Sequence, residues 1–514
     1  MSTLSSACAP VAADALFAAS VDAMVAPFYQ PDGPGAAIIV TLAGKTVFRQ
    51  AYGSACIAQQ QPMTPQTTFR LGSISKQFTA VAILMLAEEG KLSIHDEITR
   101  FLPDYPAQGR QITIEHLLTH TSGIVSFTDK DDFEANITRD VTVAEMIDSF
   151  KDDKLEFAPG TAFNYNNSGY YLLGALIEKV SGMSYASFVE QRIFIPLGMN
   201  ATSHEGRERG PQHQAAGHTR HGGGFGPCDP MSMSQAYAAG ALVSTVDDMA
   251  RWEHAIASGK LISAANWAKA FTPYPLADGS ACAYGHGWEI GTLRQRPMLA
   301  HGGGINGFTT FALRLPQDQL FVAVLSNADD GIVDTEYIAH KIGAMALGDP
   351  FVDFKEIRPD TATLDACAGV YTINAIEQHT FWHEADQLLM QRTGGDITQV
   401  HAHSDDGFFI RNSLVHLQFV RDAAGTVAKV VAHRLAWRTT ICASEPDPIS
   451  LYRFSTVPKS RVLLLAVNYS AQRPEELLDQ KLPGWADAHT LHYHQLEKNL
   501  FRSPLRRHFD EVRR

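Results

Sequence analysis

The stretch "FRLGSISKQFTA", residues 69–80, decides how the rest of the chain is read. Ser73 precedes Lys76 by three positions, and residues three apart share one face of a helix. A hydroxyl held against an amine is a route to an activated nucleophile. The plainer alternative has Ser73 capping the helix and Lys76 in water. About one or two S-x-x-K matches arise by chance in a chain this long, so the pair must be weighed with its surroundings.

Working outward, "GAAIIVTLAG" and "KTVFRQAYG" read as two strands with Ala43-Gly44 as the turn, a β-hairpin upstream of the serine. Downstream, Phe78, Val81, Leu84 and Leu86 give the segment opened by Ser73 its apolar helical positions, and Gly90 closes it. "NSGYYLLGALIEKVSG" and "STVDDMARWEHAIASG" carry helical spacing in a largely helical middle. Near residue 299 strand signals return: "GFTTFALRL", a "PQDQ" turn, then "LFVAVLSN". Strands at both ends of the segment predict an α+β fold, one antiparallel sheet flanked by helices plus a helical lobe. This catalytic domain is read over residues 1–347, followed by a linker over 348–362. Residues 363–456 contain short strands such as "VHLQFVRDAAGTVAKVVAHR" and predict a small antiparallel β-barrel. Residues 457–514 form a tail with no legible chemistry.

Composition narrows the function classes. The chain has 514 residues, 45% hydrophobic and 19% charged, as expected of a globular protein with a large core. A net charge of −13 argues against nucleic acid or an anionic membrane as the main partner. Six scattered cysteines contain no C-x-x-C pair, so free buried thiols are expected. No Lys or Arg precedes Lys45, which makes a poor secretory signal and points to the cytoplasm. The apolar run "VLLLAV" (462–467) is too short to span a bilayer.

Two further elements complete a serine-hydrolase set. In "FAPGTAFNYNNSGYYLLG", Tyr165 and Asn167 form Y-x-N just before a helix; a phenol can carry a proton and an amide can orient its neighbours. In "AHGGGINGFTTF", His301, Gly302, Gly303 and Gly304 lead into a strand whose edge can take a substrate backbone and supply an oxyanion donor. S-x-x-K and Y-x-N each occur once, in the order S-x-x-K, Y-x-N, H-G-G. With the blocks "ITIEHLLTHTSGI", "AAGALVSTVDDMARW" and "YGHGWEI", the chain resembles the serine β-lactamase and penicillin-binding-protein superfamily over residues 30–345. Within it, the chain looks like the class C branch, with its D-aminopeptidases, D-Ala-D-Ala carboxypeptidases and family VIII-type esterases.

That resemblance implies an acyl-enzyme on Ser73, activation by Lys76, proton transfer by Tyr165 and positioning by Asn167. It implies an oxyanion hole from the N–H groups of Ser73 and Gly304, with His301, Gly302 and Gly303 lining the substrate edge. His301 stands where many relatives have lysine, which weakens the case for a β-lactam or a terminal D-Ala carboxylate, since histidine is mostly neutral near pH 7. The C-terminal barrel resembles the lipocalin-like domains of some of these peptidases. The expected reaction is therefore cleavage of an ester or amide in a small molecule or short peptide, with β-lactamase or penicillin-binding activity as an alternative. No cofactor or metal is expected, and a homodimer is left open.

The "HGGG" at His221 invites an α/β-hydrolase oxyanion loop, but no G-x-S-x-G elbow accompanies it, and His221 reads as a loop residue. The 21 histidines include "HAH" (401–403) and "HYH" (492–494), yet no H-E-x-x-H, so they read as solvated or core residues. His116 and His120 are candidate bases left without an obvious role by the Ser73–Lys76 pair. A non-catalytic binding protein that kept the fold is the rival from another class.

Overall fold

The computed structural model describes residues 8–205, 213–330, 332–372, 378–434 and 449–453. The chain divides into two compact units at Val352/Asp353. In the first, β1 (Ala36–Leu42), β2 (Lys45–Tyr52), β3 (Glu289–Leu293), β4 (Arg296–Ile305), β5 (Phe308–Leu315) and β6 (Leu320–Ser326) form one antiparallel sheet. Its order is β3-β4-β5-β6-β1-β2. The first and last strands of the segment meet at its centre, Ala36 opposite Ser326 and Leu42 opposite Leu320, which is the closure expected from the two separated strand regions. β1 and β6 are apolar along nearly their whole length because both faces are covered.

Helix α1 (Ser75–Glu88) buries every residue from Ser75 to Leu86. A helix apolar on all sides belongs at the centre of a core, and it packs there against α2 (Asn167–Ser181). α3 (Val246–Ala257) lies against β1 and β6, while α4 (Thr335–Ala346) lies against β5 and β6. The caps follow the sequence signals: Thr245 starts α3 by accepting the Asp248 N–H, and Gly182 ends α2 in the left-handed conformation.

Three local expectations are corrected. Ser73 does not open the helix; it sits in a 3-10 turn, Gly72–Ile74, and α1 begins at Ser75 with no side-chain cap. The H-G-G-G run lies inside β4 rather than ahead of a strand. His221 ends a four-residue strand, His218–His221, in a surface hairpin.

In the second unit, no helix or strand spans residues 353–360, and a short helix, Thr361–Cys367, precedes an antiparallel barrel that has eight strands among the described residues. Leu417 and Phe419 point into its core with Tyr371, Phe381 and Phe408, while His416 alternates outward, as the period-two pattern requires. Among the described residues no helix is long and apolar enough to cross a membrane. The tail 457–514, with "VLLLAV" and "HYH", lies outside the described residues.

Candidate active site

The Ser73 turn is pinned from two sides. Phe69 and Arg70 pair with Ser244 and Val243, and Thr310 Oγ1 on β5 donates to the Leu71 carbonyl at 2.8 Å. The turn then runs against β4. A Cβ on Gly72, whose φ is +53°, would lie 3.0 Å from the Gly304 nitrogen, and one on Gly303 would lie 2.0 Å from the Leu71 oxygen. Side chains at these two positions would part the segments that carry Ser73 and Gly304. Glycine is required by close approach.

Lys76, one turn on, has no solvent exposure. Its Nζ lies 3.0 Å from Ser73 Oγ, 2.8 Å from Asn167 Oδ1 and 2.9 Å from the Ala239 carbonyl. The Asn167 oxygen and the Ala239 carbonyl can only accept, so a neutral amine donates to both and turns its lone pair toward the Ser73 hydroxyl. Burial favours that neutral form by pushing the lysine pKa well below its ordinary value. Ser73 itself remains partly exposed, and Gly304 is exposed. The hydroxyl is reachable while its partner is dry.

Asn167 is oriented by donating Nδ2–H to Thr128 Oγ1 at 3.1 Å. The residue that caps α2 is its neighbour Asn166, whose Oδ1 accepts the Gly169 N–H at 2.7 Å. The two asparagines thus divide the labour, one holding the helix and the other the lysine. Tyr165 lies alongside, with Lys76 Nζ 4.8 Å from its ring centroid.

The Ala239 carbonyl reaches Lys76 because Tyr237 adopts φ 39°, ψ −127° inside a helical stretch. This sparsely populated backbone turns two consecutive carbonyls inward, Ala238 to Thr79 Oγ1 and Ala239 to Lys76.

His301 is buried. Its Nδ1 sits 2.6 Å from the Gly302 carbonyl and therefore carries a proton, and its Nε2 lies 2.8 Å from the Tyr284 hydroxyl, from which the neutral ring accepts. Both ring nitrogens are engaged within the protein. Tyr284, in "YGHGWEI", is fully buried and held in its phenol form by burial and by its tyrosine neighbours. It carries no sequence signal beyond that block. His116 completes the capping box of the short helix Ile114–Leu118, whose N-cap is Thr113: its N–H donates to Thr113 Oγ1 and its Nδ1 accepts the Thr113 N–H. His120 packs against Tyr165, with ring centroids 4.3 Å apart and the ring planes tilted by 39°.

Ser73, Lys76, Tyr165, Asn167, His301 and the glycine edge therefore share one neighbourhood. It contains a hydroxyl, a buried amine beside it, a phenol and a glycine-lined strand edge. Such a set can carry out acyl transfer.

Comparison with known proteins agrees with this chemistry. The chain is 29% identical over 418 residues to penicillin-binding protein 4* of Bacillus subtilis (strain 168), covering 75% of this chain and 90% of the relative. It is 28% identical to protein flp of Staphylococcus aureus (strain MRSA252), covering 60% of this chain and 64% of that protein. The octameric penicillin-binding protein homologue from Pyrococcus abyssi superimposes with a TM-score of 0.60 at 26% identity, covering 82% of this chain and 98% of that one. A D-stereospecific amidohydrolase from Streptomyces sp. gives 0.50 at 26% identity, covering 62% and 94%. The D-amino acid amidase from Ochrobactrum anthropi SV3, complexed with L-phenylalanine, gives 0.53 at 25%, covering 66% and 97%. The Beta-lactamase family matches residues 14–346, well over half of the 514. The chain belongs to the Beta-lactamase family and is a serine hydrolase.

Proposed function

We propose that the protein cleaves amides or esters of small D-amino-acid-type substrates through an acyl-enzyme on Ser73. The observation that carries this reading is the fully buried Lys76 amine 3.0 Å from the Ser73 hydroxyl, its two other contacts being pure acceptors. Ser73 Oγ attacks the substrate carbonyl carbon as Lys76 Nζ takes the hydroxyl proton. The Ser73 and Gly304 N–H groups stabilise the oxyanion. Tyr165 then relays a proton from the lysine ammonium to the departing amine or alkoxide, the bond to the leaving group breaks, and the acyl-enzyme remains. Water, deprotonated by the same groups in reverse, releases the carboxylic acid and restores Ser73.

The substrate class rests on His301. A carboxylate-bearing substrate such as a β-lactam gains most from a fixed cation at the glycine edge, whereas this buried imidazole is engaged by Tyr284 and the Gly302 carbonyl. An uncharged amide or ester needs no such partner. The amidohydrolase and amidase among the similar structures favour the same choice. A panel of D- and L-amino-acid p-nitroanilides, p-nitrophenyl esters and nitrocefin tests it. Turnover of D-amides or esters at least about tenfold above nitrocefin in kcat/KM is the expected order. Nitrocefin as the best substrate would overturn it.

A further inference from the structure

His120 brackets Tyr165 in a way the chemistry above does not use. It is 1% exposed and its backbone lies at φ +59°, a left-handed conformation uncommon for any residue with a Cβ. Its carbonyl accepts the Asn164 N–H at 3.0 Å. Its ring Nδ1 accepts the Asn166 N–H at 3.0 Å. These two peptides flank Tyr165, whose ring packs against the same imidazole.

Because Nδ1 accepts, the neutral ring carries its proton on Nε2. That N–H is buried with no hydrogen-bond partner, among the rings of Tyr284, Tyr170 and Phe163 at centroid distances of 4.6, 5.1 and 5.9 Å. A strained backbone and an idle buried donor both cost stability. A residue serving only to fill space would not need that donor, since phenylalanine packs the same cage without an orphaned N–H.

We infer that His120 is a positioning residue for Tyr165, one side chain and one carbonyl clamping the backbone on both sides of the phenol while the imidazole face fixes its ring. The strain and the idle N–H are then the cost of a rigid phenol beside Lys76. This inference rests on the acyl-enzyme reading for its effect on rate, but the clamp itself does not.

Two substitutions separate its parts. His120→Phe keeps a ring and removes the acceptor. His120→Asn tolerates the left-handed backbone and places an amide oxygen near the former Nδ1. In the full-length protein, kcat on the best p-nitrophenyl ester should fall about 100-fold in His120→Phe with KM within about threefold, as for a misplaced catalytic group. His120→Asn should recover at least tenfold of that loss. Hydrogen exchange of the peptide covering residues 163–168 should quicken in His120→Phe and slow again in His120→Asn. Unchanged exchange and unchanged kcat in His120→Phe would overturn the inference, as would a loss that His120→Asn does not restore at all. If exchange responds as described while a fluorophosphonate fails to label Ser73 in the unsubstituted protein, the clamp stands and the acyl-enzyme reading falls.

Discussion

Replacing Gly303 by alanine tests the alignment of Ser73 with the strand edge without touching any reacting group. The new Cβ would lie 2.0 Å from the Leu71 oxygen and 2.3 Å from Thr310 Oγ1. Cβ–oxygen contacts below 3.0 Å are essentially never seen, so β4 and the Leu71 backbone must separate by about 1 Å, and Thr310 must abandon its bond to Leu71. Ser73 follows two residues later and moves with that segment relative to Gly304. A displacement of about 1 Å at a reacting centre costs on the order of 100-fold, or about 2.7 kcal/mol of barrier. Overpacking should add about 1–3 kcal/mol of destabilisation. Gly304→Ala is the control, because nothing lies within 4 Å of its added Cβ and stability should stay within about 0.5 kcal/mol. The assays are the second-order rate of Ser73 acylation by a fluorophosphonate and the midpoint of urea unfolding. Gly303→Ala acylating within threefold of the unsubstituted enzyme, at unchanged stability, would refute the close approach and the alignment built on it.

Lys76→Met keeps the length of the buried side chain and removes the base, so kcat should fall by about 10²–10⁴, measured by ester hydrolysis, while circular dichroism stays native. With the lysine pKa lowered by burial, kcat/KM should rise with pH through that lowered value and be lost below it; a pH–rate profile rising only near the ordinary lysine value would contradict this. Tyr284→Phe deletes the hydroxyl that donates to His301 Nε2 and should cost about 1–3 kcal/mol in unfolding free energy, read from urea titration. His340 is fully buried and bonded through Nδ1 to the Glu336 carbonyl, and burial takes its pKa from 6.5 down to about 4. Its folded pKa lies below the unfolded one, so its contribution is complete above pH 6.5 and is lost as pH falls toward 4, about 3 kcal/mol over that window. His340→Leu should flatten that part of the stability–pH curve.

The parts of the site legible in the sequence are those fixed by local spacing. Ser73 and Lys76 meet because one helical turn separates them, and Tyr165 and Asn167 because both lead into α2. The sheet was legible because β1, β5 and β6 alternate or run apolar between clear turns. What was hidden depends on the backbone or on distant pairing. The Ala239 carbonyl is an atom every residue has, and only the strained Tyr237 turns it toward Lys76. Tyr284 lies ahead of β3 and meets His301 because it bridges to Glu289, which faces Ala300 on β4, a register no single segment encodes. Ser73 sits in a 3-10 turn rather than at a helix cap because Gly72 must pass against β4. Asn166 caps α2 while Asn167 meets the Lys76 amine, a division between neighbouring asparagines that the Y-x-N pattern does not show.

The most direct measurement is peptide mapping by mass spectrometry after a fluorophosphonate treatment of the folded protein. One adduct per chain, on Ser73, lost in Ser73→Ala and slowed about 100-fold or more in Lys76→Met, is the expected result. A folded protein that remains unlabelled, or an adduct on another serine that survives Ser73→Ala, would contradict the account.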